Sequence, residues 1–235
     1  MAAKRHASAV DETIAHQIAN ATPYELQRAV MGQCLAELKG IQSIEAKIER
    51  KREMLPDFLP WVDGVLEAST ADDYEPIDDD ILTQVLIWSL DVHDFARALP
   101  LAAHVIRHNL ALPERFKRTA ATMIAEEIAE AGLKAAAQGE PFELDVLQQA
   151  DELTAQEDMP DEARAKLKKA IGLELARQAA ALPDEGADGA AAGKRAAVLA
   201  ALESLKRALA LNSKAGVKKD IERLEREAKR LAPAA

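Results

Sequence analysis

The chain has 235 residues, and 40 acidic against 30 basic side chains leave a net charge of −10. That balance excludes a uniformly basic nucleic-acid binder and favours a soluble, intracellular protein. No apolar run reaches the roughly 18–20 residues that a membrane span needs.

Apolar residues make up 49% of the sequence but aromatic ones only 3%, so the apolar mass is chiefly Ala and Leu. These residues lose least on entering a helix. β-branched runs are almost absent, and strands therefore have little support. The predicted class is all-α: a long N-terminal helix followed by a helical-hairpin domain. Cys34 is the single cysteine. It can form no intramolecular disulfide and no thiolate metal site alone, and its place on an apolar stripe suggests a core role.

Residues 1–20 are polar and weakly periodic and are expected to be flexible. Lys4 and Arg5 are followed by no apolar stretch, so a signal peptide is not expected. Thr22-Pro23 marks a helix start, with Glu25 placed to complete a capping box. From there residues 21–55 are predicted as one helix of about 30 residues, roughly 45 Å long. Val30, Cys34, Leu38, Ile41, Ile44 and Ile48 form a seam along it. This segment is a candidate for oligomerisation or DNA binding.

A central helical region is expected over 56–156. It opens with Pro56 and Pro60, which make a rigid connection. Phe58, Leu59, Trp61, Val62, Val65 and Leu66 should pack. Helices follow over 80–91 and 95–109, the second carrying Pro100 as a potential kink. That pair resembles a tetratricopeptide repeat in length and in its apolar–Pro exit. Helices over about 117–138 and 142–156 lead to C-terminal hairpins in 157–231, with helices over 160–182, 194–211 and 215–231.

Charge is blocked along the chain. Residues 71–94 hold eight acids and no Lys or Arg, and 140–162 hold nine acids and no Lys or Arg. Residues 194–219 hold seven bases against Glu203. Three basic clusters are candidate phosphate contacts: Arg50, Lys51 and Arg52; Arg115, Lys117 and Arg118; and Lys214, Lys218 and Lys219. Each could equally be a solvated face.

Catalytic patterns are sparse. Asp78, Asp79 and Asp80 are the one dense carboxylate cluster, weak candidates for a metal site. Consecutive residues at a helix start point in different directions, which favours capping instead. His104 and His108 share a helix face, but Val105 stands where the zinc-protease pattern needs Glu. No glycine-rich phosphate loop is present, so ATP hydrolysis is not expected of this chain.

Several stretches resemble the GpM-type small terminase subunits of cos-packaging phages. They are LPDFLPWVDGVLE (55–67), DDILTQVLIWSLDVHDFARAL (79–99), LALPERFKRT (110–119), EEIA (126–129), DMPDEARAKLKKAIGL (158–173) and GVKKDIERLERE (216–227). The Trp-bearing segments and the Asp158-Met-Pro-Asp161 block are the specific ones. The resemblance implies three partners: a large terminase subunit, double-stranded phage DNA at cos, and further copies of this chain. It places the work in the host cytoplasm, without a membrane. ATP and Mg²⁺ are expected at the large subunit, and no cofactor in this chain. The family carries the label of terminase endonuclease subunit. No catalytic residues transfer, because no nuclease motif is matched. Three functions follow as expectations: a DNA-recognition and recruiting subunit, a Mg²⁺-dependent endonuclease, or a helical adaptor that binds only protein.

Overall fold

The computed structural model describes residues 21–183 and 190–232. The expected flexible N-terminus, and most of the Gly/Ala/Asp loop before Lys194, lie outside these residues. The described residues are helical throughout their regular structure, with no strand among them. They fall into two compact units, divided at Trp88–Ser89 within one helix.

The first unit opens with α1 (Pro23–Gly40). Thr22 and Glu25 form the expected capping box: Glu25 N–H donates to Thr22 Oγ1 (3.2 Å), and Thr22 N–H donates to Glu25 Oε2 (2.8 Å). The predicted single helix over 21–55 is corrected here, because α1 stops at Gly40 and α2 (Ile44–Met54) starts anew. Ile41 is extended (ψ 132°). Ser43 caps α2 by accepting from Ala46 N–H at 3.3 Å. A helix-poor glycine followed by a strong N-cap residue outweighs the continuous apolar spacing. Arg50 Nε reaches back to Glu37 at 2.6 Å and ties the two helices.

A 3₁₀ turn (Leu55–Phe58) leads directly into α3 (Leu59–Ala68), with Pro56 and Pro60 in their opening turns. Proline is tolerated there because those N–H groups have no intrahelical acceptor. Phe58 and Val62 are fully buried, as their apolar spacing predicts. Helix α4 (Asp80–Asp91) is buried along its whole length from Ile81 to Leu90. Phe58 meets Trp88 edge-on, with ring centroids 5.9 Å apart.

In the second unit α4 ends at a left-handed His93 (φ 61°), where Asp94 N–H donates to Ser89 O. Glycine or asparagine usually fills that position, so His93 carries some backbone strain, and its ring stacks on Phe95. Helix α5 (Phe95–Arg107) is capped by Asp94 and runs through Pro100 without a break. Helices α6 (Ala120–Gln138), α7 (Leu144–Leu153), α8 (Asp161–Ala181), α9 (Ala190–Leu211) and α10 (Lys218–Arg230) follow.

Helix α8 is the hub of this unit. Ala163, Leu167, Ala170, Ile171 and Ala176 are buried on several of its sides. Its small residues admit close neighbours. A Cβ on Gly172 would lie 2.6 Å from Leu205 Cδ2 and 3.1 Å from the Leu205 backbone N, so α9 crosses α8 where only glycine fits. The C-terminal core then builds on Val198, Leu202 and Leu205 of α9 with Ile221 and Leu224 of α10.

Candidate nucleic-acid interface

The three basic clusters meet different fates. In the first, Arg50 is held by Glu37 and by Glu53 (2.7 Å), and Arg52 pairs with Glu49. Hydrogen bonds that Arg50 donates to Glu37 and Glu53 push its pKa up. Lys51 is half-buried. In the second, Arg118 spans Glu126 and Glu127. Arg115 lies over the Phe116 ring at 4.8 Å, and desolvation lowers its pKa against the opposing charge of Asp91. Lys117 is exposed. Arg50, Arg52 and Arg118 are thus largely neutralised by carboxylates of their own chain.

The third cluster differs. Lys194, in the same charge block, is buried and donates to Leu182 O (2.9 Å), and Lys206 pairs with Glu225 (2.6 Å). Arg207, Lys214, Lys218 and Lys219 are exposed, and no ion pair among the described residues holds them. Gly216 turns the chain with φ 75°, and Lys169 Nζ braces the turn by donating to Ala215 O (2.8 Å). Val217 stands at the N-cap of α10 and provides no side-chain cap.

Its first turn therefore presents backbone N–H groups together with Lys218 and Lys219. Cations at a helix N-terminus oppose the macrodipole and cost about 0.3–1 kcal/mol each. Anions are favoured at the same place. Sequence spacing named Lys214, Lys218 and Lys219 but gave no sign of the missing cap or of the outward-facing Arg207. The lysine pair directly after a Gly-Val turn was the available signal.

The aspartate cluster is a capping device. Asp79 is 3% exposed. Its Oδ1 accepts from Ile81 and Leu82 N–H (both 2.9 Å), and its Oδ2 accepts from Trp61 Nε1 (2.8 Å). Asp80 pairs with Arg28 at 3.0 Å. The Asp78 carbonyl accepts from Tyr24 Oη, which in turn accepts from Asp80 N–H. Tyr24 also lies 5.7 Å from Trp61, ring to ring. The three acids thus lock α1 and α3 to the start of α4 and do not converge. Among the described residues no three His, Cys, Asp or Glu side chains are grouped as for a metal.

His104 is buried, and its ring lies 4.5 Å from that of His108. Desolvation raises the Cys34 pKa, which suits a partly packed thiol. Among the described residues no helix is long and apolar enough to cross a membrane.

The sequence pattern of the phage small terminase subunit family matches residues 28–162, and the chain belongs to that family. Membership gives it a role in phage genome packaging, and the family implies DNA and a large terminase subunit as partners. The chain is 40% identical over 232 residues to a protein of Escherichia phage P2 named terminase, endonuclease subunit, covering 97% of this chain and 85% of that one. It is 29% identical over 219 residues to a probable terminase, endonuclease subunit of Haemophilus phage HP1, covering 91% and 74%. No solved structure matches it significantly.

Proposed function

We propose that this chain is the DNA-recognition and recruiting subunit of a terminase. It binds viral DNA at cos and brings in the large subunit, which supplies ATP hydrolysis, Mg²⁺ and the cut. The observation that carries this is the start of α10, where exposed Lys218 and Lys219 open a helix whose N-cap residue makes no side-chain hydrogen bond, with exposed Lys214 four residues before it. Those lysines and N–H groups match a phosphate backbone.

The relatives' names keep one other function in view, in which this chain cuts DNA itself. Asp78 and Asp80 would then have to gather Mg²⁺, while Asp79 is already occupied by three N–H donors. The separating experiment titrates purified protein against labelled cos duplex and a scrambled duplex, at several salt concentrations with Mg²⁺ present. Selective binding without nicking is the expected result. Nicking by this chain alone would reassign the cut to it. Absence of both would leave a protein-only adaptor.

Self-association is proposed through α1. Leu26 and Val30 lie four apart on α1 and are 43% and 41% exposed. Two large apolar side chains on adjacent turns of one helix suit a second helix. Val30→Glu is expected to lower the mass measured by sedimentation while leaving the helical circular dichroism unchanged. An unchanged mass would clear α1 of that role.

A further inference from the structure

A groove of about 410 Å³ lies in the second unit between the end of α6, the middle of α8 and Arg223 of α10. Its size falls in the range of ligand-binding clefts, roughly 300–1,000 Å³. Alanines make it. Ala136 and Ala137 of α6 face Ala176 and Ala180 of α8, with Leu133 and Leu173 completing an apolar floor. Short side chains there leave a trough that larger apolar side chains from outside can fill.

The mouth is cationic. Lys169, Arg177 and Arg223 border it, and the Arg177 and Arg223 side chains are 40% and 49% exposed. Each cation is steadied from within the chain. Lys169 Nζ donates to Ala215 O, Arg177 pairs with Glu174 at 2.7 Å, and Arg223 lies 3.6 Å from Asp220. Glu174 is buried and fully used, because it also accepts from Phe142 N–H and Gln178 Nε2. The groove therefore combines an apolar floor with a rim of small net positive charge. Glu174 and Asp220 balance Arg177 and Arg223, which keep exposed guanidinium N–H donors for a second carboxylate, and Lys169 has a backbone carbonyl but, among the described residues, no carboxylate as its partner.

We propose that this groove docks an amphipathic, acid-bearing helix of the large terminase subunit. The proposal rests on the recruiting role given above and names the surface that performs it. An apolar helix face would lie in the alanine trough, with carboxylates on its flanks meeting the three cations. A small anion would need donors converging on one point, and these cations are spread around the rim. DNA would gain nothing from the apolar floor.

The test uses the full chain and the purified large subunit. Ala137→Glu, Ala180→Glu and Arg223→Glu all fall at exposed positions. Circular dichroism melts confirm that each variant folds. Each is expected to weaken the large subunit's affinity about tenfold or more and leave cos-duplex affinity unchanged. Arg207→Glu, an exposed cation outside the groove, should leave the large-subunit affinity unchanged. Zero-length carbodiimide coupling of the wild-type complex should join Lys169 to an Asp or Glu in a helical, leucine-bearing stretch of the large subunit. Wild-type affinity in all three groove variants overturns the proposal. So does loss of cos binding in them, which would make the groove a DNA surface, or equal weakening by Arg207→Glu. If the wild-type chain forms no complex with the large subunit, the recruiting role falls as well.

Discussion

Reversing Lys214, Lys218 and Lys219 to glutamate is expected to weaken cos binding by about 500-fold at 0.1 M salt while making the free protein more stable. The first effect follows from counterion release. Each phosphate contact is worth roughly 8-fold at that salt concentration, and the slope of log K against log salt should fall by about one per lysine. The second follows from the helix macrodipole. Lys218 and Lys219 sit in the uncapped first turn of α10, where carboxylates belong. Their reversal should add about 1–2 kcal/mol. For a chain of this size that raises the melting temperature by about 2–8 °C. Salt titrations by fluorescence anisotropy and a calorimetric melt read the two effects. Unchanged affinity would remove this surface from DNA recognition. Weakened binding with a lower melting temperature would mean the lysines stabilise the fold. Arg52→Glu serves as the control, because Glu49 already neutralises that guanidinium.

The second large effect is on stability. Asp79→Ala removes the cap of α4 and leaves Trp61 Nε1 without its acceptor. A lost cap costs about 1 kcal/mol, and an unsatisfied buried donor about 1–3 kcal/mol. The sum of about 2–4 kcal/mol should lower the melting temperature by roughly 5–15 °C. Trp61 and Trp88 both belong to the first unit, so tryptophan fluorescence follows its unfolding. Asp79→Asn should fall between the two, since the amide keeps one acceptor and sets N–H₂ where the second was. A melt of Asp79→Ala within 2 °C or so of wild type would show that Asp79 does not hold α4. This also shapes any nuclease test. Loss of activity in an Asp79 variant would report a loosened fold, whereas Asp80→Asn disturbs only an exposed pair with Arg28.

The helical class was legible from composition because Ala and Leu leave little doubt about backbone preference. The helix starts at Thr22 and Asp80 followed from capping chemistry written into adjacent residues. The break at Gly40 was not read, because the apolar positions from Val30 to Ile48 keep helical spacing across it. Periodicity records which residues are apolar, and Ser43 as an N-cap needed equal weight. The tetratricopeptide likeness of 80–109 rests on sequence pattern alone. In the candidate interface the lysines themselves were visible, but their freedom was not. Whether a cation faces solvent or a glutamate depends on helix packing. Arg50 and Arg118 find their carboxylates 13 and 8 residues away, and Lys214 finds none among the described residues. The partnership of Trp61 with Asp79, 18 residues apart, was equally beyond spacing arguments.

The elbow at Ile41–Ser43 would set a limit on how strongly copies of this chain pair through α1, the contact proposed above. An unbroken helix over 21–55 could have zipped along its whole length and made a tight, permanent pair. The apolar contact left on α1 by Leu26 and Val30 spans little more than a single turn. Under the proposed pairing one such contact would be weak, so lasting assembly would need several made at once. A ring of copies or an array lined up on one DNA supplies that multiplicity, because each bound neighbour raises the effective concentration of the next. Assembly through α1 would then be steep in protein concentration and sensitive to the presence of DNA, forming where copies have already gathered.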